Sequence, residues 1–226
     1  MVEATIDDAG RKLAAIHNEI AAAAKLAGRK AASINLIAVS KTCSVEQIRP
    51  LIAAGQRAFG ENRVKEAADK WPSLRTETPD IELHLIGQLQ SNKAEEAVAL
   101  FDVIHSLDRM SLLVALGKAM TKVGKQVPCY LQVNIGDEEQ KGGCAIEQVP
   151  ELLAAAKDQG VPVIGLMCLP PADVEPAPYF TLLAEMAARQ GLVRLSMGMS
   201  GDFTTAIMLG ATDIRVGTAL FGAHKI

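Results

Sequence analysis

A lysine at the end of an apolar run is the first residue in this chain whose type and position could do chemistry. Lys41 directly follows the segment LIAVS at 36–40, so we expect it at the inward end of a buried strand. Burial disfavours the ammonium form of a lysine, and the neutral amine is the form that attacks a carbonyl to make an imine. The alternative is a lysine that extends from the strand end into solvent or pairs with Glu61.

Two segments of small residues near the carboxyl terminus could bind an anion. Gly198, Ser200 and Gly201 precede one predicted helix, and Gly217 and Thr218 precede another. Small residues at helix N-termini expose successive backbone N–H groups, which bind phosphate. The alternative is that the glycines only make tight turns and that Ser200 is a helix N-cap.

An arginine lies between these two segments. Arg215 ends the last apolar run of the chain, where its planar guanidinium could meet an anion or a heteroaromatic nitrogen. A buried lysine, an arginine and a phosphate-binding cradle in one place describe a pocket for a phosphorylated aldehyde. Pyridoxal 5′-phosphate (PLP) fits such a pocket, and so does a sugar-phosphate substrate of an aldolase.

Eight apolar runs, each followed by a helical pattern, must position these residues. The runs are LIAVSK, RAFGEN, LHLIGQ, DVIHSLD, CYLQVNIG, VIGLMC, VRLSMGM and TDIRVG. This rhythm is typical of a parallel sheet, and eight repeats predict an α/β (β/α)8 TIM barrel. The helices are expected at 45–54, 63–69, 92–100, 110–123, 146–159, 176–190 and 201–209, with a short helix after Gly217.

An amphipathic helix over 7–27 precedes the first strand, and Gly28 is placed to end it. The expected organisation is one domain over residues 1–226, in which residues 1–30 pack on the barrel as an extra helix. An open doubly wound sheet uses the same alternation, but no GxGxxG turn follows the first run. In a barrel the polar ends of all eight runs gather at one rim, where active sites of this fold lie.

Composition excludes several classes of function. The 26 acidic and 23 basic side chains give a net charge of −3, which supplies no cationic field for a nucleic acid. No apolar stretch is long enough to span a membrane. The four cysteines form no metal-binding CxxC pair and predict reduced thiols in the cytoplasm.

The polar run ends belong to a set of short motifs that occur in a fixed order along the chain. The motifs are AVSKT (38–42), FGENRVKEA (59–67), HLIGQLQSNK (84–93), HSLDR (105–109), QVNIGDEEQKGG (132–143), GLMCLP (165–170), SMGMSGDFTTAI (196–207) and RVGTALFG (215–222). Any one motif is weak, but their order and their positions at run ends make the set specific. Together they resemble the pyridoxal 5′-phosphate homeostasis proteins, single-domain relatives of the alanine racemase N-terminal barrel, and the resemblance extends from about Ile34 to Gly222.

The resemblance implies the fold of type III PLP proteins and a set of cofactor-binding residues. Lys41 would hold PLP as a Schiff base, and Arg215 would approach the pyridine nitrogen. The phosphate would be bound by Ser200 with Gly201 and by Gly217 with Thr218.

The resemblance also implies three further residues at the barrel mouth. Asn62, His84 and Asn134 would line it, although Asn62 could instead be a helix N-cap, His84 a core histidine and Asn134 a turn residue. Many members have an aromatic residue before the histidine, where this chain has Leu83. Because Leu83 and His84 face opposite sides of the strand, that change should alter packing against a helix and not the site.

Another lysine lies in a glycine-rich segment that has the composition of a mobile loop. Lys141, within QKGG, could accept a second aldehyde, but a solvated loop lysine is the simpler interpretation.

A carrier needs only reversible imine formation and phosphate capture, whereas a racemase needs proton-transfer groups on both faces of the cofactor. Racemases of this fold supply one such group from a second domain, which this chain lacks. Neither Tyr130 nor Tyr179 follows a run end. We therefore expect a PLP-binding protein of vitamin B6 and amino-acid homeostasis without robust catalysis.

A racemase-like enzyme and, less favoured, a Schiff-base aldolase remain as alternatives. PLP-requiring apoenzymes are the possible protein partners of a carrier. The missing racemase domain favours a monomer, because that domain carries the surface through which racemases pair.

Overall fold

The computed structural model describes residues 2–222, and side chains from Asp7 onward within that range. Eight parallel strands close into a barrel in the order β1 to β8, each hydrogen-bonded to its sequence neighbour and β8 to β1. This confirms the predicted (β/α)8 barrel. The strands are β1 Asn35–Val39, β2 Ala58–Glu61, β3 Glu82–Leu85, β4 Val103–Leu107, β5 Cys129–Val133, β6 Val163–Cys168, β7 Arg194–Met199 and β8 Asp213–Val216.

Helices follow every strand, as the alternation predicts, and an additional helix precedes β1. The helices are α1 Val2–Leu26, α2 Val45–Ala53, α3 Val64–Glu77, α4 Ala94–Leu100, α5 Met110–Val123, α6 Val149–Asp158, α7 Ala177–Arg189, α8 Phe203–Met208 and α9 Thr218–Phe221. No helix among the described residues is long and apolar enough to cross a membrane.

The N-terminal helix α1 lies on the outside of the barrel. It packs against α2, α8 and α9 through an apolar stripe that includes Leu13, Ile16 and Ile20. It ends at Leu26, and Gly28 turns the chain with a φ of +66°, a conformation that glycine adopts at little cost. Arg29 then donates a hydrogen bond to the carbonyl oxygen of Ile207 in α8 at 2.9 Å.

One helix is longer than its sequence pattern predicts. The pattern ends at residue 69, but α3 continues through Pro72 to Glu77. Tertiary packing offsets the hydrogen bond that a proline removes. Trp71 is fully buried, and its ring lies 5.0 Å from the ring of Phe59 in β2.

Two cores of different character result from the closed sheet. The larger apolar core lies between the outer faces of the strands and the helices, and it includes Leu83. The barrel interior contains a small apolar cluster of Val103, Tyr130 and Met167, together with buried polar side chains. The strand alternation therefore places Leu83 outside and His84 inside, as predicted.

Candidate functional site

The carboxyl ends of the strands surround a cavity of about 570 Å³, which is within the size range of small-molecule sites. Seven of the nine residues singled out from the sequence line this cavity. They come from the ends of β1, β2, β7 and β8 or from the loops that follow them, and they are Lys41, Asn62, Ser200, Gly201, Arg215, Gly217 and Thr218.

Lys41 lies at the start of the β1–α2 loop and is half-buried. Among the described residues it has no hydrogen-bond or ion-pair partner, so the expected alternative pairing with Glu61 does not occur. The backbone turns sharply here, because Thr42 has a φ of +61°. An amine without a partner at the cavity wall remains available to a ligand.

A buried ion pair holds the loop that carries Lys41. Glu61, which is fully buried, accepts hydrogen bonds from Ser40 Oγ at 2.7 Å and from Trp71 Nε1 at 3.0 Å. Lys70 Nζ lies 2.8 Å from the same carboxylate oxygen and donates to the carbonyl oxygen of Ser40 at 3.0 Å and to that of Cys43 at 3.3 Å. The Glu61–Lys70 pair therefore fixes the backbone directly before Lys41 and two residues after it.

Glu66 completes this cluster from the first turn of α3. Its carboxylate accepts from Lys70 Nζ at 2.8 Å and from the backbone N–H of Thr42 at 2.5 Å. Partial burial alone would raise the pKa of Glu66, but these hydrogen bonds lower it below its ordinary value. The charged form of Glu66 thus stabilises the strained Thr42 conformation.

The two small-residue segments lie side by side, as the barrel predicts for the loops after strands 7 and 8. The backbone N–H of Gly217 donates to Ser200 Oγ at 3.3 Å, which joins the β7–α8 loop to the β8–α9 loop. A side chain on Gly217 would lie 3.3 Å from Val39, whereas the space beside Gly201 is open. The region provides hydroxyl and backbone N–H groups without bulky side chains.

Arg215 is almost fully buried at the end of β8. Its Nη1 donates to Ser196 Oγ at 2.5 Å, and its Nη2 donates to the carbonyl oxygen of Cys168 at 2.9 Å. These two bonds fix the plane of the guanidinium group against the cavity wall. Burial lowers the pKa of Arg215 from its ordinary value, but an arginine remains a donor in any protein environment.

Asn62 reaches the cavity because two loops approach each other closely. A side-chain carbon on Gly87 would lie 2.3 Å from the backbone oxygen of Asn62, so only glycine fits after β3. This contact brings the end of β3 against the β2–α3 loop. The alternative role of Asn62 as an N-cap does not apply, because Arg63 occupies that position of α3.

Two residues expected at the mouth do not line this cavity. His84 is 1% exposed and lies deep in the barrel interior, with Nδ1 2.9 Å from His105 Nε2. Asn134 does not line the cavity, because its carboxamide closes the following loop. Its Oδ1 accepts from Glu138 N–H at 3.1 Å and its Nδ2 donates to the Glu138 carbonyl oxygen at 2.9 Å. These are the core-histidine and turn-residue alternatives.

Sequence reasoning missed a chain of amides that closes one side of the cavity. Gln88 Nε2 donates to Gln132 Oε1 at 2.8 Å, and Gln132 Nε2 donates to the carbonyl oxygen of Gly142 at 3.0 Å. A side chain on Gly142 would meet the carboxamide of Gln88, which would have to move away from its present position. The inward alternation of Tyr130 and Gln132 along β5 was the available signal for Gln132.

Lys141, in the segment between β5 and α6, also lines the cavity. Unlike Lys41 it is engaged, since Nζ lies 2.5 Å from Glu138 Oε2 and donates to the carbonyl oxygen of Pro170 at 2.9 Å. It is therefore a tethered loop lysine and not a freely solvated one.

Comparison with known proteins identifies the family. The family model for the N-terminal domain of alanine racemase matches residues 12–225. Pyridoxal phosphate homeostasis proteins of Escherichia coli K12 and Aquifex aeolicus are 37% and 38% identical to this chain, over 97% and 96% of it and 98% and 99% of their own lengths. The chain belongs to the pyridoxal phosphate homeostasis protein family. The resemblance found in the sequence motifs is confirmed.

Solved structures place this family member among the same barrels. PipY of Synechococcus elongatus PCC7942, solved with PLP bound, superimposes with a TM-score of 0.78 at 37% identity and covers 95% of this chain and all of that one. An alanine racemase from Clostridium difficile superimposes with a TM-score of 0.71 at 16% identity, over 97% of this chain and 58% of that one, which shows the shared fold.

Proposed function

We propose that this chain binds pyridoxal 5′-phosphate through Lys41 and acts in the homeostasis of vitamin B6 and amino acids. One observation carries the proposal. A lysine without a partner among residues 2–222 and an oriented arginine line the same cavity as two glycine-containing loops, which the hydrogen bond from Gly217 to Ser200 joins. The names of the family members and the PLP-bound PipY structure support the same assignment.

The donors present match the three polar parts of PLP. The aldehyde needs an amine, which Lys41 supplies without breaking any existing contact. The phosphate needs donors and open space, and the loops at Ser200–Gly201 and Gly217–Thr218 provide both. The ring nitrogen is an acceptor, and Arg215 is a donor that cannot give up its proton to the ring.

Bound PLP would supply a reversible covalent link through its aldehyde. The Lys41 amine adds to the carbonyl carbon, and one water leaves as the carbon–nitrogen double bond forms, so hydrolysis regenerates both partners. Because Arg215 keeps its protons, the ring nitrogen stays unprotonated and the ring withdraws electrons weakly. An arginine at the ring nitrogen therefore favours a protein that stores the cofactor over an enzyme that uses it for catalysis.

The positions of the tyrosines favour a carrier over a racemase. Tyr130 donates to Asp213 at 2.5 Å near the amino end of the barrel, far from the strand ends that form the cavity, and Tyr179 packs in α7 against the outer core. Neither tyrosine lines the cavity, so neither is placed there to exchange a substrate proton. An aldolase would need carboxylates near Lys41, and Glu61 is committed to Lys70.

We further propose a cytoplasmic monomer that can transfer PLP to apoenzymes which require it. The four cysteines are free and buried, and burial is the main cause that raises the pKa of Cys43 to about 11 and of Cys129, Cys144 and Cys168 to about 12. Such thiols are poor nucleophiles and remain reduced in a reducing compartment. Light scattering after size exclusion tests the monomer, and a dimer would overturn that part.

Equilibrium dialysis with PLP and with pyridoxal tests binding and the phosphate cradle together. We expect tight binding of PLP by the wild type, and binding of pyridoxal at least tenfold weaker because the cradle is then empty. Lys41→Ala should lose covalent binding of PLP. Lys141→Ala, the matched control at the other lysine of the cavity, should retain it. Equal affinity for PLP and pyridoxal would contradict the assignment of the two loops.

Proton exchange distinguishes the carrier from the enzyme. The PLP-loaded protein is incubated in D2O with single L-amino acids, and the α-proton is followed by NMR. A carrier exchanges the α-proton no faster than free PLP does. A racemase exchanges it faster and also produces the D-enantiomer.

A further inference from the structure

A chain of buried polar side chains crosses the barrel interior from the cavity to its amino end. It begins at Arg215, whose Nη1 lies 2.5 Å from Ser196 Oγ. Ser196 Oγ lies 2.8 Å from His105 Nδ1, and His105 Nε2 lies 2.9 Å from His84 Nδ1. His84 Nε2 then lies 3.3 Å from Oε1 of the half-exposed Glu82 at the start of β3. We call this chain the barrel relay.

The donor at one end fixes the direction of every bond in the relay. An arginine only donates, so Ser196 Oγ accepts from Arg215. Arg215 and His105 are the only partners of this hydroxyl among the described residues, and its own proton is satisfied only if it points at His105 Nδ1. A buried hydroxyl proton without an acceptor would cost about 1–3 kcal/mol.

The tautomers of both histidines follow from this direction. His105 accepts at Nδ1 and therefore carries its proton on Nε2, which donates to His84 Nδ1. His84 in turn carries its proton on Nε2, which faces the Glu82 carboxylate. Burial lowers the pKa of His105 well below its ordinary value, and neighbouring His84 and Arg215 add to this effect, so a neutral ring is expected.

The environment of the relay indicates a role beyond filling the barrel. Ser196 and His105 are fully buried, where apolar residues would pack at lower cost. The His105 ring is also clamped, since it stacks on Tyr130 with centroids 4.4 Å apart and an angle of 22°. The contacts from Arg215 to His84 orient the members of this network, and His84 Nε2 lies near the Glu82 carboxylate as a charge contact without hydrogen-bond geometry. The member at the cavity wall is Arg215.

We propose that Ser196 and His105 are positioning residues that hold Arg215 as a fixed donor towards the ligand's ring nitrogen, through a one-way relay that ends on Glu82. The identity of the ligand rests on the proposed function, but the relay itself does not. Ser196 provides the acceptor that orients Nη1, and His105 fixes the Ser196 hydroxyl so that its lone pair faces the arginine. Glu82 provides the terminal negative charge that favours the Nε2–H tautomer of His84.

Histidine tautomers measured in the ligand-free protein test the relay without any cofactor. Long-range ¹H–¹⁵N correlation spectra distinguish Nδ1–H, Nε2–H and imidazolium rings, and the chain has four histidines, so single substitutions assign them. We expect His84 and His105 as neutral Nε2–H tautomers. A Glu82→Gln variant should shift the His84 signals most and the His105 signals less. An Nδ1–H tautomer at His105 overturns the relay.

The effect on the ligand is measured by PLP affinity and by the absorption maximum of the bound cofactor. Ser196→Ala removes the acceptor of Arg215, and we expect PLP to bind about tenfold more weakly with a shifted absorption maximum, a loss of roughly 1.4 kcal/mol. His105→Asn keeps an acceptor near the position of Nδ1 and should bind PLP within about threefold of wild type.

His105→Phe is the matched control, because it keeps the stacking on Tyr130 but has no acceptor. We expect it to behave like Ser196→Ala in affinity and in absorption maximum. If His105→Phe and His105→Asn have equal affinity and equal spectra, the positioning role is wrong. If His105→Phe does not fold, the PLP affinity of Ser196→Ala and the histidine tautomers of the wild type test the positioning role instead. A wild-type protein that shows both Nε2–H tautomers but binds no PLP contradicts the proposed function and leaves the relay in place.

Discussion

The two ends of the barrel use similar polar residues in opposite ways. At the amino end, the buried carboxylate of Asp213 accepts from Arg194 at 2.8 Å, from Tyr130 at 2.5 Å and from Thr212 at 2.6 Å, with Asn35 at 3.3 Å. Burial alone would raise the pKa of Asp213, but these partners lower it below its ordinary value.

At the carboxyl end, the charged groups are held in position, but some of their N–H donors have no hydrogen-bond acceptor among the described residues. Lys41 has no partner among the described residues, and Arg215 donates two of its five N–H groups, one to Ser196 and one to Cys168. Polar groups that satisfy one another close one end of the barrel, and polar groups that remain partly unsatisfied open the other end to a ligand. The amino end therefore contributes mainly to stability, whereas the carboxyl end also provides the free donors that a ligand needs.

Asp213→Ala should have the largest effect on stability. The change leaves the buried hydroxyl of Tyr130 without its acceptor and removes the counter-charge of Arg194, whose side chain is 42% exposed. The loss should therefore lie near the lower end of the range of about 3–5 kcal/mol that breaking a buried ion pair costs. Urea unfolding measures it, with Asp80→Ala as the control, because the exposed pair between Asp80 and Arg57 should contribute at most about 1 kcal/mol. An equal loss of unfolding free energy in both variants would contradict the role of Asp213 in stabilising the amino end of the barrel.

Glu61→Gln should have the next largest effect, because it acts on both stability and site geometry. Lys70 loses its buried counter-charge, and hydrogen bonds to charged groups contribute roughly 1.5–3 kcal/mol. We expect a loss of that size in urea unfolding and slower imine formation at Lys41, since the loop is no longer held. Glu66→Gln, on a more exposed carboxylate, is the control and should lose less. A larger loss in Glu66→Gln would show that Glu66 and not Glu61 holds the loop.

Ser200→Ala should weaken PLP binding and leave stability unchanged. The variant removes a hydroxyl from the phosphate cradle and the acceptor of the Gly217 N–H, and we expect affinity to fall about tenfold, near 1.4 kcal/mol. Equilibrium dialysis measures it, with Ser73→Ala on α3 as the control, whose hydroxyl bonds only to its own helix. Unchanged affinity would remove Ser200 from the phosphate site.

Lys41→Ala should also leave stability almost unchanged. A half-buried side chain without a partner contributes little, and substitutions at such positions usually change the free energy of unfolding by less than about 0.5 kcal/mol. The measurement is urea unfolding without PLP. A loss as large as that of Glu61→Gln would mean that Lys41 is a structural residue.

The alternation of short apolar runs and helical patterns was sufficient to predict the barrel, because period and run length depend on local sequence. The end of α3 was not predictable in this way, since Pro72 is tolerated only through the packing of Trp71 on Phe59. The seven cavity residues were predictable because carboxyl ends of barrel strands meet at one rim.

His84 shows where sequence reasoning stops. Alternation predicted that it faces inward, but its depth depends on strand stagger and on partners from β4 and β7, which are remote in sequence. Asn134 follows its strand as expected, yet its amide is used by the local turn to Glu138. The cluster around Lys70 was equally hidden, because its partners in the β1–α2 loop come from distant segments.

Borohydride reduction of the PLP-loaded protein, followed by peptide mapping, tests most directly that the carboxyl end holds a ligand through one lysine. Reduction converts an imine to a stable amine and leaves PLP on the lysine that carried it. We predict a single labelled peptide that contains Lys41, loss of the label in Lys41→Ala, and retention in Lys141→Ala. A label distributed over several lysines, or unchanged in Lys41→Ala, would contradict the account.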